Sequence, residues 1–199
     1  NTDIRYAKMA IRHLSELSGL PLEPAPNLIE ATQDCGAFVQ LSGVLKRIAS
    51  KLSKTCNDLR LLSSGPQAGL NEIRLPPRAA GSSIMPGKVN PVIPESVNQV
   101  CYQVIGNDLA VTMAAEAGQL QLNAFEPLMA YDLLSSMRLL GRAMNGLATR
   151  CVAGIEAILP RNEHHAEATL ATATALNPYI GYDKASEIVK EAANSGRPL

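Results

Sequence analysis

The stretch Gly81-Ser82-Ser83-Ile84-Met85-Pro86-Gly87-Lys88-Val89-Asn90-Pro91 lies between two long runs of helical pattern. Its two glycines and its prolines exclude the interior of a helix. Glycine lets backbone N–H groups come close to a ligand, and consecutive N–H groups attract anions. Lys88 adds a positive charge, Asn90 can donate and accept hydrogen bonds, and Ser82 and Ser83 supply small hydroxyl groups. The stretch is therefore suited to binding a small molecule that carries carboxylates.

The composition of this stretch also fits two other kinds of loop. An ordinary surface loop is one of them, because Gly, Ser, Pro and Asn are the usual loop residues. A nucleotide-binding phosphate loop is the other, because Gly87 precedes Lys88 in a segment that starts with a glycine. The spacing excludes it, since five residues rather than four separate Gly81 from Gly87, and Val89 stands where a Ser or Thr would bind magnesium.

Helical patterns extend in both directions from this loop. Before it, apolar residues recur at steps of three and four over residues 27–62, close to the 3.5-residue period of helices packed in a bundle. After it, Pro94 is suited to the first position of a helix over residues 94–120. A third pattern covers residues 126–158. Helices this long predict a bundle shared between subunits rather than one buried by a single chain.

Shorter helices are predicted at the two ends of the chain. Residues 3–18 carry an apolar stripe that Gly19 and Pro21 terminate. Residues 183–193 form a final helix that Asp183 is predicted to cap. Residues 63–80 are predicted to be irregular chain. Arg60, just before this stretch, and Asn71, within it, could lie near a site, but charged and amide residues in such a stretch are usually solvated. No strand-like alternation is evident, so the pattern predicts an all-α protein.

The composition restricts the class of partner. Hydrophobic residues make up 46% of the chain and charged residues 18%, which is typical of a globular protein. The formal net charge is zero, which argues against a nucleic acid or an anionic membrane as partner. No apolar run approaches the roughly 20 residues of a transmembrane helix. We therefore expect a small-molecule ligand, with no nucleic acid and no membrane.

Four cysteines lie far apart in the sequence, at Cys35, Cys56, Cys101 and Cys151. They form no CxxC pair, and the histidines do not fall at ligand spacing with any of them, so we expect neither zinc nor another metal or cofactor. Reduced and buried thiols are typical of the cytoplasm, which is the compartment that we expect.

The loop resembles the signature loop of the aspartase/fumarase superfamily, whose members are all-helical lyases. The similarity continues from Val92-Ile93-Pro94-Glu95 to Gln121-Leu122-Asn123, and through residues 27–76 and 175–182. Within the superfamily it is nearer to the aspartate ammonia-lyases (aspartases) than to the fumarate hydratases. The resemblance implies a fold of long bundled helices and a loop that includes Gly81, Ile84, Met85, Pro86 and Gly87.

The resemblance also implies a division of the chain. Residues 1–160 would form most of the central helical bundle, without its beginning, and residues 161–199 would begin a small carboxy-terminal helical domain. On this basis we expect a piece of a longer protein. The superfamily assembles homotetramers whose active sites combine three subunits, so we expect the piece alone to be inactive.

The activity implied by the resemblance is the reversible elimination of ammonia from L-aspartate to give fumarate. Ser82 would act as the base that removes the β proton, and Ser83 would bind the β-carboxylate. Lys88 and Asn90 would bind the α-carboxylate end of the substrate. Glu95 would orient a histidine from a neighbouring subunit, or would simply be an acid favoured at a helix amino terminus.

Two alternatives to this activity stay open at this point. The first is fumarate hydratase activity, and the second is a non-catalytic helical scaffold, since superfamily members have also served as structural proteins. His164 and His165 are further candidates for acid/base groups, but we expect them to be surface residues. His13, which lies off the apolar stripe of its helix, is also expected to be solvated.

Overall fold

The computed structural model describes residues 3–79, 81 and 84–196. The prediction of an all-α fold is confirmed, because helices dominate and the described residues form a single two-stranded sheet. The helices are α1 (Ile4–Ser18), α2 (Gly36–Leu62), α3 (Val92–Glu116), α4 (Glu126–Arg150), α5 (Leu159–Ala168), α6 (Asn177–Ile180) and α7 (Tyr182–Ser195). The strands are β1 (Ile73–Arg74) and β2 (Glu156–Ala157), and short 3₁₀ helices cover Glu30–Thr32, Val152–Gly154 and Leu170–Leu176.

Helix α1 lies where the sequence predicts it. The side chain of Asp3 accepts a hydrogen bond from the N–H of Arg5, and Gly19 closes the helix in the left-handed conformation with φ 69°. The end at Gly19 was predicted from the sequence, whereas the cap at Asp3 is seen only in the structure. His13 is exposed, as predicted, and its Nδ1 lies 3.2 Å from Oε2 of Glu16.

Helix α2 begins later than predicted. The expected start at residue 27 is wrong, because the side chain of Asn27 accepts hydrogen bonds from the N–H groups of Ile29 and Glu30 and holds a separate turn. The carboxylate of Asp34 then accepts a bond from the N–H of Gly36, where α2 begins. Side chains of this kind compete with the helical backbone for its N–H groups.

Helices α3 and α4 end earlier than predicted, and α3 also begins earlier. The α3 helix starts at Val92, before Pro94, and stops at Glu116, where the side-chain amide of Asn123 donates to the carbonyl groups of Ala114 and Ala115. The predicted end of α4 at residue 158 is wrong. That helix stops at Arg150 because the chain turns through a 3₁₀ helix and then forms β2.

The entry into α7 differs in one detail from the prediction. Gly181, with φ 81° and ψ 164°, precedes the helix, and Asp183 lies in the first turn. The predicted cap at Asp183 is therefore wrong. Its carboxylate is still favourably placed, because the amino terminus of a helix attracts negative charge.

The chain divides into two compact units, the first formed by residues 1–49 and 102–139 and the second by residues 50–101 and 140–199. In the first unit, the buried carboxylate of Asp108 accepts a hydrogen bond from Ser42 Oγ at 2.7 Å and lies 2.9 Å from Lys46 Nζ. In the second unit, the buried amide of Asn98 donates to Ser53 and accepts from Arg60. These bonds satisfy polar groups that would otherwise be costly to bury. The predicted division at residue 160 stays a prediction.

All four cysteines are free and buried, as the sequence predicts. Burial, with smaller contributions from the neighbouring thiols of Cys101 and Cys151, raises the pKa of Cys56 to about 11, and Arg60 opposes this rise. Thiols with raised pKa values carry little thiolate at neutral pH, so they act as small apolar groups in the core.

Candidate functional site

The described part of the signature loop folds back on itself. A Cβ atom added to Gly81 would lie 1.9 Å from the carbonyl oxygen of Lys88, so only glycine allows the two backbones to approach this closely. Within the loop, the N–H of Lys88 donates to the carbonyl of Met85 at 3.2 Å, and Gly87 adopts φ 79°. The backbones of Gly81 and Lys88 are thus in close contact. The described residues of the loop are exposed, except Pro91, which is half-buried.

Two of the predicted substrate-binding residues line one cavity. Lys88 and Asn90 are among the residues around a space of about 350 Å³, together with Gly87. This volume is within the range of pockets that bind small molecules. Glu95 is not among the described residues that line the cavity, and it is half-buried in the first turn of α3. Ser82 and Ser83 lie outside the described residues.

The cavity also contains residues that the sequence did not assign to it. Asn71 and Arg74 line it from the segment that precedes the loop, and Ser63 lines it from the position directly after α2. Asn71 has φ 51°, a left-handed conformation in which asparagine is enriched, and its N–H donates to the carbonyl of Ser64. Of the two alternatives that the sequence left open for Asn71, the structure favours a position near a site over full solvation, since the residue is half-buried and lines the cavity.

The chain before the loop is held by residues that follow α4. We call residues 69–78 and 150–165 together the loop platform. At one end of it, Arg161 donates from Nε to the carbonyl of Leu70 at 3.0 Å and from Nη2 to the carbonyl of Gly69 at 3.1 Å. Nearby, Nδ1 of His165 lies 2.7 Å from Oε1 of Glu72. Helix α5 thus fixes residues 69–72 through two side chains.

The rest of the loop platform is an antiparallel pairing. Ile73 is the partner of Ala157, and the N–H of Ile158 donates to the carbonyl of Glu72 at 2.9 Å. The side chain of Glu72 is half-buried, whereas Arg74 is exposed. This pairing leads directly into the residues that line the cavity.

At the other end of the loop platform, Nε of Arg78 donates to the carbonyl of Arg150 at 2.8 Å. This carbonyl belongs to the last residue of α4, where a positive charge is favourable. A Cβ atom added to Gly154 would lie 2.6 Å from Cγ of Pro76, so the two segments are also in close contact there. Burial raises the pKa of Cys151, and Arg78 opposes that rise.

The predicted surface position of the two adjacent histidines is correct for only one of them. His164 is exposed, whereas the side chain of His165 is 27% exposed and belongs to the loop platform. Within the described ranges, no cluster of three or more His, Cys, Asp or Glu side chains is arranged to hold a metal ion. In the same part of the chain, no helix is both long enough and apolar enough to cross a bilayer.

Comparisons with known protein families agree with the resemblance of the loop. The family model described as "Lyase" matches residues 1–106, and the model described as "Fumarase C C-terminus" matches residues 173–199. The aspartate ammonia-lyase of Pseudomonas aeruginosa is 61% identical over 197 residues, which are 99% of this chain and 42% of the relative. The aspartate ammonia-lyase of Escherichia coli K12 is 53% identical over 100% of this chain and 42% of its own length.

Solved structures show the same fold. A fumarate lyase:delta crystallin from Brucella melitensis, bound to cobalt, is 66% identical and superposes with a TM-score of 0.91 over 100% of this chain and 43% of its own. A class II fumarase from Schistosoma mansoni is 35% identical, with a TM-score of 0.90 over 98% of this chain and 44% of its own. The chain thus spans about two fifths of the length of these relatives. Because the lyase family model matches 106 of its 199 residues, and these relatives share its fold, the chain belongs to the aspartase/fumarase superfamily of lyases.

Proposed function

We propose that the full-length protein is an aspartate ammonia-lyase, which reversibly eliminates ammonia from L-aspartate to give fumarate. The observation that carries the proposal is the placement of Lys88 and Asn90 on one cavity, at the signature loop, in a chain 53% to 61% identical to relatives of that name. A cation and an amide on one cavity suit a carboxylate-bearing substrate.

The main difficulty of this reaction is to stabilise the negative charge that develops on the substrate, rather than to bind the substrate tightly. A base takes a proton from carbon β, and the electron pair first moves onto the adjacent carboxyl group, which then carries two negative charges. The double bond to carbon α forms as the C–N bond breaks and ammonia leaves. Donors that already point at the charged carboxyl group lower the barrier, because they do not have to reorganise during the reaction.

We assign the roles in this reaction to residues of the signature loop. Ser82 is the base, and its oxyanion is stabilised by loop N–H groups and by Lys88. Ser83 binds the β-carboxylate, and Lys88 with Asn90 binds the α-carboxylate. Glu95 orients a histidine that a neighbouring subunit contributes.

We further propose that the protein is a homotetramer with active sites shared between subunits, and that it works in the cytoplasm. Large apolar side chains such as Leu109, Met113 and Leu134 are more than half exposed in the chain, on the long helices α3 and α4, which supports burial against other subunits. Free, buried cysteines support a reducing compartment. Sedimentation of the full-length protein as a stable monomer at micromolar concentration would contradict the tetramer.

Fumarate hydratase activity is the second candidate, because the Fumarase C C-terminus model matches residues 173–199. One experiment separates the two activities. Fumarate formation by the full-length protein is followed from L-aspartate and from L-malate under the same conditions. We expect turnover of aspartate and little or none of malate. Turnover of malate alone would replace the first proposal with the second, and turnover of neither would favour the scaffold.

A further inference from the structure

A second positively charged residue lines the cavity beside the signature loop. Arg74 lies on β1 and lines the same space of about 350 Å³ as Lys88 and Asn90. Among the described residues around this space there are two cations, Arg74 and Lys88, and no aspartate or glutamate. The wall of the cavity is therefore positively charged, which favours an anionic ligand.

Arg74 is only weakly engaged within the protein. Its Nη1 lies 3.5 Å from Oε2 of Glu156, the residue opposite it in the strand pair, and the two side chains are 68% and 69% exposed. Exposed pairs of this kind contribute about 0 to 1 kcal/mol, because water competes for both charges. A guanidinium group can instead hold a carboxylate through two parallel hydrogen bonds, which is a stronger arrangement.

We propose that Arg74 is a further substrate-binding residue, which exchanges Glu156 for a carboxylate of the four-carbon diacid that Lys88 and Asn90 bind. The identity of the ligand rests on the function proposed above. That Arg74 offers a positive charge to the cavity does not depend on that function, because it rests on the residues that line the cavity. Glu156 then competes with the ligand for the guanidinium group of Arg74 and pairs with it when the cavity is empty.

A purely structural role for Arg74 predicts different effects of substitutions on ligand binding. If the pair served only to join β1 to β2, the loss of either charge would disturb the cavity in the same direction. If Arg74 binds the ligand and Glu156 competes with it, the loss of Arg74 weakens ligand binding and the loss of the Glu156 charge strengthens it. The sign of the Glu156 effect therefore separates the two roles.

The test measures binding of succinate, a four-carbon diacid without an amino group to eliminate, to the full-length protein by calorimetry. The variants are Arg74→Met, Arg74→Lys and Glu156→Gln. Lys184→Met is the matched control, because it removes an exposed cation from α7 that is not among the described residues lining the cavity. Circular dichroism checks that each variant keeps the helical fold.

We expect Arg74→Met to raise the Kd for succinate about tenfold or more, as the loss of a charge-assisted hydrogen bond does. Arg74→Lys should recover part of the affinity, because lysine keeps the charge but cannot bind in a two-pronged manner. Glu156→Gln should lower the Kd by up to about fivefold, the equivalent of a weak surface pair. Lys184→Met should leave the Kd unchanged.

Three results would overturn the proposal. They are an increase of less than about tenfold in Arg74→Met, a Kd for Glu156→Gln that is not lowered, and an unaltered protein that does not bind succinate. Should Arg74→Met fail to fold, the direction of the Glu156→Gln effect decides alone. Aspartate turnover is measured separately, so a protein that binds succinate in the expected pattern but does not consume aspartate contradicts the proposed function and not the role of Arg74.

Discussion

The imidazole Nδ1 of His165 lies 2.7 Å from the carboxylate Oε1 of Glu72, although 93 residues separate the two in the sequence. Both side chains are about 70% buried, with exposures of 27% and 30%. The contact fastens α5 to the segment that leads into the cavity, together with the two hydrogen bonds of Arg161. The histidine thus helps to hold the two segments of the loop platform together.

We predict that His165→Ala lowers the apparent free energy of unfolding of the full-length protein by about 1 kcal/mol, the usual worth of a partly buried hydrogen bond. The matched control is His164→Ala, because His164 is its exposed neighbour. That change should stay within about 0.5 kcal/mol. Urea unfolding at a fixed protein concentration measures both values. Equal effects of the two substitutions would contradict a structural role that is specific to His165.

We predict that Gly81→Ala impairs succinate binding far more than Gly87→Ala does. At Gly81 the new Cβ would collide with the backbone carbonyl of Lys88, which cannot move without opening the loop. At Gly87 nothing lies within 4 Å of the new Cβ, and the only penalty is the left-handed conformation, about 1 to 2 kcal/mol. Calorimetric titration gives the two Kd values.

The melting temperature of both glycine variants should remain close to that of the unaltered protein. Gly81 and residues 84–90 are exposed, so the loop can relieve the strain by opening without disturbing the core. A Gly81→Ala protein that binds succinate normally would show that the close approach of the loop ends is dispensable.

We predict that the protein loses stability between about pH 9 and pH 11 through Cys56. Burial raises the pKa of this thiol from 9.0 to about 11 in the folded protein. The unfolded chain therefore releases its proton first, and the folded state holds more protons in this interval. Stability therefore falls as the pH rises through this interval, by at most about 1.4 kcal/mol per pH unit for one group. The contribution of Cys56 to the free energy of unfolding is fully present below pH 9.

The comparison that isolates this effect is Cys56→Ala, which removes the titrating group. The pH dependence of its unfolding free energy should be shallower between pH 9 and pH 11 than that of the unaltered protein, whatever the difference in absolute stability. Identical slopes for the two proteins would exclude a contribution from Cys56.

We predict that Ser82→Ala lowers kcat of the full-length protein by at least about two to four powers of ten, the usual worth of a general base, with a modest change in KM. Ser83→Ala should raise KM as well as lower kcat, because it removes a contact to the β-carboxylate. Steady-state formation of fumarate from L-aspartate measures both constants. Near-normal turnover in Ser82→Ala would return the loop to a purely binding role.

Features that depend on neighbours in the sequence were predictable. Helix α1 was located by its apolar stripe and by Gly19, and the loop was located by a motif of consecutive residues. The start of α2 was missed because the apolar pattern continues through residues 27–35. There the side chain of Asn27 takes over N–H groups that a helix would have used.

The loop platform could not be predicted, because it depends on contacts between distant residues. Nothing beside Arg78 in the sequence indicates that its guanidinium group reaches the carbonyl of Arg150. Arg74 was missed for a related reason. A charged residue in an irregular stretch is usually solvated, and the sequence does not reveal that Arg74 pairs with residue 156 and lines the cavity. Lys88 and Asn90 were found because they belong to the motif itself.

The loop platform has a consequence for the order in which the protein folds. Its contacts join residues separated by 72 positions at Arg78 and Arg150 and by 93 positions at Glu72 and His165. When such a long stretch of chain closes, conformational entropy is lost before the new contacts contribute any favourable energy. Helices, in contrast, form locally within microseconds. We expect α3 and α4, which lie within the closed stretch, to form first and to shorten the distance that remains. A newly synthesised chain would therefore be largely helical well before its signature loop can hold a ligand.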